Sequence, residues 1–295
     1  MNTAIPAAPA AAAPEAPAAA AAPPQPAAGP VRAPPEGPEA PGAHGAHGAH
    51  EAERFYARAL EHLLQSGVPS LLGGAYALRE YAGIVRDTKD LDVFCKAEDY
   101  PRLLQALADA GYRTEIHFPH WLARAYDGDR FVDLIFNTPN GVCPVDDTWF
   151  ERVHEADVLG HRLRLVPPEE LLWPKLYVME RERFDGADVL HVLRRQGPTL
   201  DWRRLWARME SHWEVLFAHL LLFHFVYPSE RAAVPDWLFR ELLSRLEQHL
   251  AAPPAEAPEA RVCRGLLLAD RQYQIDVTQW GYRDARALVL QGRSG

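Results

Sequence analysis

The sequence predicts an α+β protein: a small mixed sheet with flanking helices, followed by a helical domain. Three observations carry that reading. Short segments with strand-like alternation cluster between residues 70 and 136, and apolar residues recur at helical spacing from Glu169 to Leu250. The chain before Glu51 has no hydrophobic period at all.

The first fifty of the 295 residues carry 20 Ala and 12 Pro, with only four charged residues among them. Prolines recur there too often for a helix to continue, so residues 1–50 are expected to be a disordered leader. The leader is not read as a secretory signal, because it lacks a basic start and Pro6, Pro9, Pro14 and Pro17 interrupt its apolar stretch. His44, His47 and His50 form a Gly-Ala-His repeat, a composition that also occurs in loose metal-binding tracts.

The elements follow in order. Phe55, Ala59, Leu63 and Leu64 fall on one helical face, and Gly67 with Pro69 ends that helix. Ser70-Leu71-Leu72 is a short apolar run meeting Gly73-Gly74, and Ala75 to Tyr81 is helical again. Asp90 to Phe94 alternates polar and apolar as a half-buried strand does. Glu98 to Ala110 is an amphipathic helix with Pro101 placed early, where a helix tolerates it. Tyr112 to His117, Trp121 to Tyr126 and Arg130 to Phe136 are expected strands, the last two joined at Asp127-Gly128. Val158 to Val166 reads as a small hairpin around Gly160. The expected domains are therefore 51–166, an α/β domain, and 167–250, a helical domain. Residues 251–295 form a linker and a segment that packs back, since Trp280, Tyr282 and Leu288 are too apolar for a loose tail.

Composition excludes several classes. The longest apolar run, Trp213 to Tyr227, contains Glu214, His219 and His224 and falls short of the roughly 20 residues a membrane span needs. Cys95, Cys143 and Cys263 are too few and too scattered for a disulfide framework or a Cys-rich zinc site. No membrane partner is expected, and a cytoplasmic location is the default. Net charge is −9, so no global basic footprint invites nucleic acid. Arg194, Arg195, Arg203, Arg204 and Arg208 nevertheless make a local cluster, either an exposed helix face or a surface for a polyanionic acceptor. The chain has 28 Arg and only three Lys, namely Lys89, Lys96 and Lys175, which draws attention to places where a compact ammonium is needed.

The chemistry centres on Gly73-Gly74, Asp90-x-Asp92 and Asp133. Residues two apart on a strand face the same side, so Asp90 and Asp92 project together while Leu91 and Val93 enter the core. Asp133 is likewise one polar residue between apolar neighbours. Three carboxylates on one face repel unless cations neutralise them. Such hard oxygen donors suit Mg²⁺, or Mn²⁺, with water and phosphate completing the shell. The diglycine lets backbone approach a phosphate, and the helix that follows offers free N–H groups. Lys89, beside the carboxylates, is a nucleotide contact or a counter-charge. His117 and His120 flank Phe118-Pro119 near the expected cleft, as substrate contacts or as structural histidines.

The run LLGGAYALREYAGIVRDTKDLDVF resembles the signature of the polymerase-β-type nucleotidyltransferase superfamily, with fifteen residues between Gly74 and Asp90. The chain is most similar to the bacterial branch of abortive-infection toxin-type and aminoglycoside-adenylylating enzymes. The resemblance implies that Asp90, Asp92 and Asp133 are catalytic and hold two metal ions, with Gly73 and Gly74 in the nucleotide site. It also implies that Lys175 contacts the triphosphate and that Asp185, in Asp185-Gly186-Ala187-Asp188, lines the site. Pro174, and Phe184 where a basic residue is common, depart from the pattern. The implied reaction moves a nucleoside monophosphate from a nucleoside triphosphate to an acceptor and releases pyrophosphate, Asp133 being the best candidate to help deprotonate that acceptor. The acceptor is a small hydroxylated molecule, tRNA or protein, and the sheet–helix cleft is its expected seat. The oligomeric state is open. Two alternatives stand beside this reading. A degenerate binding or toxin–antitoxin module is disfavoured by the intact carboxylates. A D-x-D glycosyltransferase is disfavoured because only about forty folded residues precede Asp90.

Overall fold

The computed structural model describes residues 43–86, 88, 90–253 and 261–291, and the side chains of residues 50–289 among them. Helix α1 (Ala43–Gln65) starts inside the stretch that the sequence assigns to the leader. Residues 1–42 lie outside the described residues, as does Lys89.

After α1 come β1 (Leu71–Leu72), α2 (Gly74–Ala82), β2 (Asp90–Phe94), α3 (Tyr100–Asp109), β3 (Arg113–Phe118), β4 (Leu122–Asp127) and β5 (Arg130–Ile135). A hairpin of β6 (His154–Val158) and β7 (His161–Leu165) follows. These strands form one mixed seven-stranded sheet in the order β3-β4-β5-β2-β1-β7-β6. β2 runs parallel to β5 and β1 runs parallel to β7, while the other neighbours are antiparallel. The β6–β7 hairpin is therefore part of the central sheet. It is joined through Leu72 opposite Leu165 and a 2.9 Å bond from the Val166 N–H to the Leu72 carbonyl.

Strand alternation sorts the two faces. Leu91, Val93, Ala123, Ala125, Val132 and Leu134 are buried on one face, with Leu103 and Leu107 of α3 and Leu60 and Leu63 of α1 in the same core. Burying each such aliphatic chain contributes on the order of 1.5–3 kcal/mol. Their polar neighbours along the same strands are left on the opposite face, beside α2.

The helical half comprises α4 (Pro168–Lys175), α5 (Gly186–Gln196), α6 (Trp202–Met209), α7 (Trp213–Val226) and α8 (Asp236–Ala251). Pro174 lies one residue before the end of α4 and withholds the N–H that would reach the Glu170 carbonyl. Two buried carboxylates of α4 tie it to α6 within this half. Glu169 accepts from the Asp201 N–H at 2.6 Å, and Glu170, fully buried, accepts from Arg204 Nε at 2.8 Å and from Arg208 at 3.3 Å. Arg208 reaches on to Asp146 at 3.1 Å, just before the turn Asp147–Phe150. The cluster of arginines singled out in the sequence is thus not one exposed patch: Arg204 and Arg208 point inward, Arg194 pairs with Glu230, and Arg203 lies over Trp237.

Beyond the undescribed residues 254–260, β8 (Val262–Cys263) pairs with β9 (Arg283–Asp284), flanking α9 (Asp270–Thr278), and α10 (Ala285–Gln291) follows. This segment touches the body through Asn140 Nδ2 to the Leu267 carbonyl at 2.8 Å and the Met179 N–H to the Leu268 carbonyl at 3.2 Å. Among the described residues, no helix is long and apolar enough to cross a membrane.

Candidate active site

The polar face of the sheet brings together residues far apart in the chain. Parallel pairing of β2 with β5 sets Asp92 directly opposite Asp133, and Asp90 projects two residues away on the same face. One oxygen from each of Asp90, Asp92 and Asp133 lies within 4.8 Å of the others. Thr88 orients Asp90 by donating its hydroxyl to Oδ1 at 2.7 Å.

Such proximity is costly without a cation. Burial pushes the Asp92 carboxyl up to about 7, and the charges of Asp90 and Asp133 add to the shift, while Lys175 and Arg183 oppose it. Asp133 is also raised, by burial, against the pull of Arg124. The donor set is all hard oxygen, its three carboxylates repel one another with only Asp133 directly paired, to Arg124, and its spacing suits a divalent cation.

The diglycine explains itself at this point. Gly74 opens α2 with φ +53°, and a Cβ there meets Asp92 Oδ2 at 1.9 Å. Gly73 has no room either, since a Cβ meets the Phe94 ring at 2.4 Å, and its N–H donates to the Asp92 carbonyl at 2.9 Å. These residues let the start of α2 press directly on the carboxylate. Gly74→Ala is accordingly expected to displace Asp92, lower stability by about 2 kcal/mol and abolish Mn²⁺ binding. Thermal denaturation and titration with Mn²⁺ followed by electron paramagnetic resonance check both effects.

A second cluster adjoins the triad. Lys175, at the end of α4, donates to Asp185 Oδ2 and to Asp188 Oδ2, each at 2.8 Å. Arg183 forms two 3.0 Å bonds to Asp185, and Arg86 pairs with Asp188 at 2.5 Å. Burial works to raise the Asp185 carboxyl, yet Arg183 and Lys175 hold it below the usual carboxylate range. Three cations therefore meet two buried carboxylates, leaving one positive charge in excess beside Asp92. Lys96, by contrast, engages Glu98 at 3.0 Å and Asp147 at 2.9 Å.

Four contributors escape the sequence reading. Arg124 makes a two-pronged pair with Asp133, at 2.6 and 3.2 Å, and Arg86, Thr88 and Arg183 complete the shell. A weak signal existed for Arg183: it stands one place before Phe184, where a basic residue is common in the resembling branch. Phe184 itself is 53% exposed and stacks near His219.

A family model described as an uncharacterised nucleotidyltransferase matches residues 49–225, more than half of the chain. The chain belongs to this nucleotidyltransferase family. The matched span runs from α1 into α7 and contains both clusters. No curated protein matches the chain. Among solved structures, it is similar to the antibiotic-resistance factor ANT(2'')-Ia, at 18% identity over 68% of this chain and 98% of that one, TM-score 0.33. The lincosamide antibiotic adenylyltransferase LnuA, solved with lincomycin bound, shares 19% identity over 48% of this chain and 95% of its own, TM-score 0.34. An antigenic nucleotidyltransferase-like protein from Paracoccidioides brasiliensis shares 14% identity over 63% and 94%, TM-score 0.41.

Proposed function

We propose that this nucleotidyltransferase moves a nucleoside monophosphate from a nucleoside triphosphate to a hydroxyl-bearing acceptor, releasing pyrophosphate. The observation that supports this reading best is the convergence of Asp90, Asp92 and Asp133 within 4.8 Å, beside the start of α2. These carboxylates would hold Mg²⁺, or Mn²⁺, which would supply charge neutralisation for the phosphates and Lewis-acid activation of an attacking oxygen. The remaining work belongs to the chain. Gly73 and Gly74 admit the nucleotide's phosphates to the free N–H groups of α2. Lys175, with Asp185 as its anchor, receives the triphosphate, and Arg183 and Arg86 supply further positive charge there. Positioning and electrostatic stabilisation carry the rate.

The acceptor is a small hydroxylated molecule, a tRNA end or a protein side chain. A direct assay incubates the protein with Mg²⁺, cell extract and each of α-labelled ATP, CTP, GTP and UTP. Transfer of label to an extract component, with matching pyrophosphate release, is the expected result. Absence of transfer from all four triphosphates overturns the reading.

A further inference from the structure

A helix that is apolar all round is ordinarily buried all round, yet α7 is buried on one side only. There Phe217, Leu220 and Phe223 enter the core, and the His219 Nε2–H donates to the Leu176 carbonyl at 3.0 Å. The other side carries Val215, Ala218, Leu222 and Phe225, spaced three, four and three residues apart, and Phe225 is 82% exposed. No Asp, Glu, Lys or Arg occurs between Glu214 and Glu230. Helix α8 repeats the pattern. Its Phe239, Leu243, Leu246 and Leu250 are four, three and four residues apart, the 3.5-residue period of a seam between helices. Leu250 at the end of this row is 74% exposed.

The two helices lie side by side and antiparallel. Trp213 meets His249 at one end, with centroids 6.4 Å apart, and His224 stacks on Phe239 at the other, 4.3 Å apart. Phe217 also packs on Phe239. Leu221, one turn from both Phe217 and His224, and Leu243, one turn from Phe239, are exposed, so the two apolar faces join along this line. An exposed apolar surface built from two helices marks an association site. The charges at its margin say what associates. Arg240 and Glu247 are both exposed, and neither has an ionic partner among the described residues. Each follows a seam residue, Phe239 or Leu246, so both border the same edge of the seam, evenly placed about Leu243 and Ser244. When a second α8 lies antiparallel across a two-fold axis at that midpoint, Arg240 of each copy faces Glu247 of the other.

We propose that this face is the contact of a homodimer, in which the α7–α8 pairs of two copies pack against each other as a four-helix bundle with Arg240 and Glu247 paired across the two-fold axis. The side of α7 that meets α4 and α5 is the buried one, so the contact does not draw on the carboxylate site and stands apart from the nucleotidyl-transfer reading.

Sedimentation equilibrium of the full chain at low ionic strength tests this. The wild-type protein is expected at twice the mass of one chain, with a Tm that rises with protein concentration. Phe225→Glu combined with Leu243→Glu is expected at the mass of one chain, with an unchanged circular dichroism spectrum because both side chains are exposed in the single copy. Arg240→Glu and Glu247→Arg, each alone, set like charges opposite one another twice per dimer and are expected to associate about 10-fold more weakly. Mixed in equal amounts, the two are expected to recover the wild-type affinity as a heterodimer, because each offers the charge that the other lacks. A wild-type protein of single-chain mass overturns the proposal, as does a dimer that survives Phe225→Glu with Leu243→Glu. Charge variants that stay weak when mixed overturn it as well.

Discussion

Asp92→Ala is expected to lower nucleotidyl transfer by about 1,000-fold or more, the scale lost when a principal electrostatic stabiliser of a transition state is removed. Asp92 is the central member of the triad: it faces Asp133 across the β2–β5 pair, and Gly74 presses against its carboxylate. The same residue makes the metal-free protein sensitive to pH. Its folded-state value of about 7 lies above the value of about 4 for an unfolded aspartate. Between those values the folded state holds the extra proton, so its stabilising effect is complete below about pH 4 and disappears as pH rises through about 7. Added Mg²⁺ competes with that proton, and the gain in Tm on adding Mg²⁺ is expected to be larger at about pH 8 than at about pH 5. Asp92→Asn, which carries no ionisable group, is expected to remove both the loss of stability with pH and the response to Mg²⁺. Thermal denaturation at the two pH values, with and without the metal, checks the sign. Equal gains in Tm at both pH values speak against Asp92 as a metal ligand.

Lys175→Met carries the second large effect, and it is mainly one of stability. The Lys175 ammonium sits between Asp185 and Asp188, whose side chains are 9% and 6% exposed. Removing one partner from a buried ionic group costs about 3–5 kcal/mol, because the remaining charge is left without compensation. Arg183 stays with Asp185 and Arg86 with Asp188, which places the expected loss near the lower end, about 3 kcal/mol and about 10 °C in Tm. A pair of variants separates this from a phosphate contact. Asp188→Asn, which keeps the ammonium but leaves Arg86 without its carboxylate, is expected to lose comparable stability while binding a triphosphate analogue as well as the wild-type protein does, whereas Lys175→Met is expected to bind it weakly. Equal analogue binding in the two variants assigns Lys175 a structural role alone.

Local chemistry explains why much of the sheet was legible. Asp90 to Phe94 is a strand in the sequence and in the structure because polar and apolar residues alternate there without interruption, and the Asp127-Gly128 turn joins β4 to β5 as expected. The β6–β7 hairpin was legible as a hairpin but not as sheet, since nothing local states that Leu165 will pair with Leu72, more than ninety residues earlier. The start of α1 carries no local signal for a related reason. The Gly-Ala-His repeat has no apolar period, and the sequence reading therefore began the fold at Glu51, whereas the helix extends back to Ala43. The sequence leaves Arg204 and Arg208 as an exposed helix face or a surface for a polyanion because their partner, Glu170, lies more than thirty residues away.

The sequence by itself determined that Asp90 and Asp92 face one way and that glycine stands where the start of α2 meets them. A strand's two-residue period requires Asp90 and Asp92 to share a side, and only glycine tolerates the approach made at position 74. The tertiary structure alone decided what those residues meet. Asp133 stands beside Asp92 because two parallel strands pair in one register, and a slip of one residue turns every side chain to the other face. Arg124 stands opposite Asp133, and Glu115 opposite Arg124, through strand registers that no local pattern announces. Arg86, Lys175 and Arg183 converge because α2 packs on α4 and α5, and helix packing is settled by burial of apolar faces rather than by the charges it brings together.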